Sequence, residues 1–205
     1  MKTLNNYINE ALIKKDTKIK TYNYYPKNRD ELIKIIKEKI DNLPSDGLLD
    51  LTDIDISGVD DYIAYLFQHI TKPLRDKIKK IDVSGWNTSK FTKLNSLFYI
   101  CSNVEEIIGI ENFNTENVES ITSMFYKCAN LKKVDLSKWN VKKITSFNYV
   151  FEDCFLLESV GNIEHWKNDL PVDISKNPNT YGYNMFKRCS RKLKRPSWSK
   201  YLRKK

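Results

Sequence analysis

The sequence predicts an α/β repeat protein of about five strand–turn–helix units, with a capping helix at its N-terminal end. Three observations carry this reading. Cys101, Cys128, Cys154 and Cys189 each lie three residues after a phenylalanine: Phe98, Phe125, Phe151 and Phe186. An aromatic column, Trp86, Phe113, Trp139 and Trp166, recurs at spacings of 27, 26 and 27. An aliphatic column, Ile78, Val104, Leu131 and Leu157, recurs at 26, 27 and 26. Three columns with one period in the 20–50 residue range are the mark of a stacked repeat.

Residues 1–20 form a leader. Leu4, Ile8, Leu12 and Ile13 could line one face of a small amphipathic helix there. Within 21–48, Asn28 caps a predicted helix through Leu32, Ile33, Ile36 and Ile40, and Pro44-Ser45-Asp46-Gly47 stops it. This helix is expected to cover the open edge of the first repeat.

The repeats span 49–190, and each has two halves. Ile81-Asp82-Val83 and Val134-Asp135-Leu136 alternate with period two, as short strands do. Then the period changes. Phe91, Leu94, Leu97, Phe98 and Cys101 share one spacing with Val118, Ile121, Met124, Phe125 and Cys128, and with Ile144, Phe147, Val150, Phe151 and Cys154. That spacing predicts one apolar face of a helix of about three turns. Neither half can bury its face alone, so neighbouring units must stack.

The strand halves come in two subtypes. Residues 104–113 and 157–166 carry one residue more than 78–86 and 131–139, with Gly109 or Gly161 at the insertion. A bulge or bend is expected there. An earlier unit, Leu51 to Val59, matches through Asp55-Ile56-Ser57-Gly58-Val59, and Ile70 takes the cysteine position. The last unit has eight extra residues between Trp166 and Phe186. Pro171 to Tyr183, with Asn177, Pro178, Asn179 and Gly182, reads as a projecting loop.

The units Asp82-Val83-Ser84-Gly85-Trp86-Asn87-Thr88-Ser89-Lys90 and Asp135-Leu136-Ser137-Lys138-Trp139-Asn140-Val141 resemble the BspA-type leucine-rich repeat of bacterial surface proteins and phage-encoded proteins. Phe98-Tyr99-Ile100-Cys101, Phe125-Tyr126-Lys127-Cys128, Phe151-Glu152-Asp153-Cys154 and Phe186-Lys187-Arg188-Cys189 match its most specific element. The resemblance implies a right-handed leucine-rich-repeat solenoid used for binding. The entry segment resembles that of phage-encoded members, which implies the host cytoplasm or a phage virion as location. Met1 to Lys20 holds no apolar stretch of signal-peptide type, and no run approaches a membrane span.

The net charge of +9 is concentrated at one end. Residues 187–205 hold ten basic residues and no acidic one, against 25 basic and 26 acidic residues in the rest. The tail, residues 191–205, includes Arg191, Lys192, Lys194, Arg195, Lys200 and Arg203, which make a candidate polyanion-binding set for nucleic acid or another polyanion. Trp198, Tyr201 and Leu202 lie among these charges. The tail reads as a C-terminal cap, as a free arm or as a membrane-surface segment.

Cysteines 26 or more residues apart lack the clustered spacing of a zinc site, and buried cysteine serves as a small apolar residue. No metal or cofactor is expected. His69 and His165 stand 96 residues apart with no nucleophile motif, and Asp50, Asp53, Asp55, Asp60 and Asp61 lack calcium-loop spacing. An enzyme is therefore not expected. Asp55, Asp82 and Asp135 are assigned to one strand slot, with Lys80 and Lys133 two residues earlier on the same side. They read either as turn and inter-repeat hydrogen bonding or as a charged strip for a protein partner. The expected function is a non-enzymatic protein-binding or structural module, with a nucleic-acid-binding accessory protein as the alternative.

Overall fold

A computed structural model describes residues 21–60, 63–174, 176 and 181–202. The leader helix, Asp61, Asn177, Pro178, Asn179 and Arg203 lie outside the described residues.

Helix α1 spans Arg29–Asp41. Asn28 caps it, accepting from the Glu31 N–H, while the Glu31 carboxylate accepts from the Lys27 N–H at 2.8 Å. The first bond satisfies a donor that a helix start otherwise leaves open, and the second ties the residue before the cap to the first turn. Leu32, Ile33, Ile36 and Ile40 are buried, as their spacing predicts. Three short strands follow, β1 (Leu48–Asp50), β2 (Lys80–Asp82) and β3 (Glu106–Ile108), with the four-residue helix α2 (Lys72–Arg75) before β2. They form one parallel sheet of order β1-β2-β3, in which Leu49, Ile81 and Ile107 stand in register and are buried. Helix α3 (Trp166–Asp169) and a 3-10 helix over Ser197–Leu202 follow the sheet, and shorter 3-10 turns lie at Ile56–Gly58, Leu66–His69 and Ile110–Asn112.

The right-handed leucine-rich-repeat solenoid of five strand–turn–helix units is not formed. The overall class is mixed α/β, with a small open sheet and a few short helices among the described residues. Two physical reasons account for this. First, the predicted helical halves are successions of tight turns. Ser96 and Ile100, Ser123 and Lys127, and Tyr149 and Asp153 all have φ between 54° and 67°, a left-handed conformation that an α-helix excludes. The N–H groups of Phe98 and Ile100 donate to the carbonyls of Met124 and Tyr126 at 2.9 and 2.8 Å, not to the fourth residue back. Phe125 and Lys127 do the same toward Val150 and Glu152, both at 2.9 Å. The alternate residues, Tyr99 and Cys101, close four-residue turns onto the carbonyls of Ser96 and Phe98. An apolar residue every third position suits such turns as well as it suits a helix.

Second, the sheet stops widening after β3. Beyond it the ladder persists only as isolated parallel bridges, Glu106 to Lys133 and Lys133 to Ser159. Gly109, φ 87°, follows β3 directly after Ile108, and Gly161, φ 76°, turns the chain just after the Ser159 bridge.

The sequence period is expressed mainly in side-chain columns. Phe67, Phe98, Phe125, Phe151 and Phe186 stack at centroid distances of 5.6, 5.6, 5.2 and 5.8 Å. Each such ring pair contributes roughly 0.5–1.5 kcal/mol beyond area burial. Trp86, Trp139 and Trp198 each donate an indole N–H to a buried carbonyl, those of Leu51, Ile110 and Ile163, at 3.1, 3.0 and 3.0 Å. The columns join one hydrophobic core that runs from Leu32 to Leu202.

Candidate binding surfaces

The strands point Ile81 inward and Lys80 and Asp82 outward, because successive side chains alternate. Asp82 ends its strand with a turn: Oδ1 accepts the Ser84 N–H at 2.9 Å and the Ser84 hydroxyl at 2.6 Å. Asp135 repeats this with Ser137 at 2.9 and 2.6 Å. These bonds, first from the Ser137 hydroxyl and then from its backbone N–H, hold the Asp135 carboxyl below its ordinary value.

Asp55 is not in this slot. The residue in register with Asp82 is Asp50, whose Oδ1 accepts the Thr52 N–H at 2.8 Å and its hydroxyl at 2.7 Å. Asp55 instead caps a 3-10 turn through the Ser57 N–H at 2.8 Å, and its own N–H donates to the Tyr24 carbonyl. The sequence contains Asp-x-Thr and Asp-x-Ser five residues apart, and only strand pairing distinguishes them.

Lys80, Lys133 and Asp135 meet in a groove of about 510 Å³ on the strand face. Its walls add Glu105, Glu106, Glu111 and Lys132, which sequence reasoning did not select. The bridge ladder sets Lys80 beside Glu106 and Glu106 beside Lys133. One residue earlier, Lys132 Nζ lies 2.5 Å from Glu105 Oε2, and Lys192 Nζ lies 3.4 Å from Glu158 Oε1. Acid and base therefore alternate from turn to turn. The signal was present in the Lys79-Lys80, Glu105-Glu106 and Lys132-Lys133 pairs, which share the repeat period.

The tail is packed as a cap as far as Leu202. Trp198 is fully buried, its ring 6.3 Å from Trp166 and 6.5 Å from Phe186, and Leu202 is buried. The Ser197 N–H and hydroxyl donate to the Glu164 carboxylate at 2.7 and 2.8 Å. Arg191, Lys192, Lys194, Arg195 and Lys200 stay exposed, though Arg195 also donates to the Phe186 carbonyl at 3.0 Å.

The cysteines are free thiols in one column. Cys128, Cys154 and Cys189 donate Sγ–H to the carbonyls of Phe98, Phe125 and Phe151 at 3.1, 3.0 and 3.0 Å. Burial pushes Cys101 and Cys189 up to about 12, and Cys128 and Cys154 well above the ordinary value. Such thiols are poor nucleophiles and poor metal ligands. Among the described residues no group of three or more His, Cys, Asp or Glu side chains could hold a metal ion, and no helix is long and apolar enough to cross a membrane.

No curated protein and no solved structure matches the chain. The family described as "Mycoplasma protein of unknown function, DUF285" matches residues 61–194, from just before the Phe67 turn to just before the Trp198 cap. That match covers well over half of the 205 residues, and the chain belongs to this family.

Proposed function

We propose that the chain is a non-enzymatic binding module that engages a protein partner through the charged groove on its strand face. The observation that carries this reading is the convergence of Lys80, Lys133 and Asp135 with Glu105, Glu106 and Lys132 in one groove of about 510 Å³. Alternating charge gives a partner a register, since each wrong alignment sets like charges together. Asp82 and Asp135 are engaged in turns, so the lysines and glutamates are the residues that reach the partner. The family is associated with BspA-like repeat proteins, and the resemblance to them implies a binding role, which supports the same reading.

The test is affinity capture with the intact chain, followed by quantitative binding of the captured protein to Lys80→Glu/Lys133→Glu. A loss of tenfold or more with an unchanged melting curve supports the reading. Undiminished binding refutes it.

A second reading rests on the exposed Arg191, Lys194 and Lys200 at the capped end. A polyanion held there would dissociate steeply with added salt, because bound counterions are released on association. Salt-insensitive binding would exclude it.

A further inference from the structure

The ladder of turns has a direction. At each internal junction alternate N–H groups donate forward to the next unit. Those of Ser96, Phe98 and Ile100 reach the carbonyls of Thr122, Met124 and Tyr126 at 2.9, 2.9 and 2.8 Å. Those of Ser123, Phe125 and Lys127 reach Asn148, Val150 and Glu152 at 2.8, 2.9 and 2.9 Å. Those of Tyr149, Phe151 and Asp153 reach Tyr183, Met185 and Lys187 at 2.8, 2.9 and 3.0 Å. The same positions of the last unit are Asn184, Phe186 and Arg188. Asn184 and Arg188 hold φ of 56° and 57°, as Tyr149 and Asp153 hold 59° and 67°, so the turns keep their form and the three N–H groups face off the end of the stack. None of the three has an acceptor among the described residues. The N–H groups between them, of Met185 and Lys187, close turns onto Gly182 and Asn184 at 3.1 and 3.0 Å.

The cap does not fill this row. It covers the aromatic column with Trp198 and bonds its own backbone locally, Leu193 to Ser190 and Ser199 to Pro196. A pocket of about 310 Å³ is left between the two, lined by Asn184, Phe186 and Lys187 of the last turns and by Arg195, Ser199 and Leu202 of the cap. Arg195 stands beside the middle of the row: it donates to the Phe186 carbonyl at 3.0 Å. A guanidinium carries five N–H donors, so others remain for a carboxylate.

We propose that this open row is a docking edge for an extended acidic segment of a partner protein, which adds one more rung to the ladder. The edge is separate from the strand-face groove. Peptide carbonyls satisfy the same donors at three internal junctions, so the row already matches a chain that offers carbonyls at alternate residues. Pairing of an extended segment with an open edge draws its affinity from such main-chain bonds. Charge sets the partner's sign. Residues 187–205 hold ten basic residues and no acidic one. Lys187, Arg188 and Lys192 are paired with Glu152, Asp153 and Glu158, whereas Arg191, Lys194, Arg195 and Lys200 have no carboxylate partner among the described residues.

Other occupants fit less well. A second copy would have to bring the carbonyls of its first unit, but α1 packs over that end and Arg29 holds the Ala64 carbonyl at 3.3 Å. Residues 1–20 carry five lysines against Glu10 and Asp16, so their charge repels this end. A phosphate presents its oxygens at one point, whereas the three donors of each internal rung reach carbonyls on three different residues.

The test is amide hydrogen exchange followed by NMR on the intact chain, free and with a short end-capped peptide of alternating glutamate and threonine. Such a peptide favours the extended form and sets its carboxylates on one side. In the free chain the Phe98, Phe125 and Phe151 amides should be protected and those of Asn184, Phe186 and Arg188 open. The peptide should slow exchange of the three open amides tenfold or more. Arg195→Glu should weaken binding tenfold or more, and Lys80→Glu/Lys133→Glu should leave it unchanged, which separates this edge from the strand-face groove. Row amides that stay open at saturating peptide overturn the proposal, as does binding lost only in the strand-face variant. Equal affinity for polyacrylate of the same charge would show attraction by charge alone and also overturns it. Protection already present in the free chain, with a doubled mass in sedimentation, would assign the row to a second copy instead. The row amides are read in the unsubstituted chain, so the test stands even if Arg195→Glu fails to fold.

Discussion

Trp198 is the point where the basic tail either belongs to the fold or does not. Its replacement by alanine removes a fully buried indole that contacts Trp166 and Phe186 and donates to the Ile163 carbonyl. Truncating a buried aromatic residue to alanine costs about 3–5 kcal/mol, from lost transfer free energy and from the cavity left behind. The stripped Ile163 carbonyl is part of that cost and is not added to it. A chain of this size has a stability of roughly 5–15 kcal/mol, so the loss is a large share of the total. In thermal melting it corresponds to a fall in Tm of roughly 6–20 °C. Trp198→Phe retains a ring against Trp166 and loses the N–H, so it should fall between the two. Deleting Ser197–Lys205 should cost at least as much as Trp198→Ala, because it also removes Leu202 and the Ser197 bonds to Glu164. The measurement is urea or thermal unfolding followed by circular dichroism. A change below about 1 kcal/mol for Trp198→Ala would refute the cap.

The thiols should resist modification: an Ellman assay on the native protein near neutral pH should detect at most slow reaction at the partly buried Cys189, and four thiols in denaturant. Fast stoichiometric reaction of Cys128 would contradict its burial. Gly161→Ala should destabilise by roughly 1–3 kcal/mol, because φ there is 76° and a Cβ would collide with the Asp135 carboxylate; a neutral effect in unfolding experiments would show that this contact is loose. Asp135, held below its ordinary value of 3.8, binds protons more weakly folded than unfolded. It thus contributes stability that is present above 3.8 and lost as the pH falls through the folded value. Ser137→Ala removes the larger cause and should move the Asp135 carboxyl midpoint, followed by NMR, upward toward 3.8; an unmoved midpoint would exclude the hydroxyl as that cause.

The period, the buried columns and α1 were legible in the amino-acid order. Each rests on local or strictly periodic information: a cap at Asn28, a Phe-x-x-Cys spacing, an aromatic residue every 26 or 27 positions. Burial of Phe98, Phe125 and Phe151 follows from that spacing whether the segment between them is a helix or a run of turns. The same indifference is why the helices were misread. A helix bonds each N–H four residues back, while these segments bond alternate N–H groups about 26 residues ahead. Side-chain spacing carries no record of which partner is chosen. The left-handed residues that enforce the choice, such as Ile100 and Lys127, are not glycine or asparagine and leave no mark in the composition.

The binding surfaces divide along the same line. That Lys80 and Lys133 share a face follows from strand alternation, and the sequence shows it. That Asp50 and not Asp55 stands beside Asp82 was decided by the pairing of β1 with β2. Charge alone read the tail as an arm as readily as a cap. Burial of Trp198 against Trp166 and Phe186 made it a cap, since covering the exposed end of an aromatic column is worth more than the repulsion among lysines that remain in water.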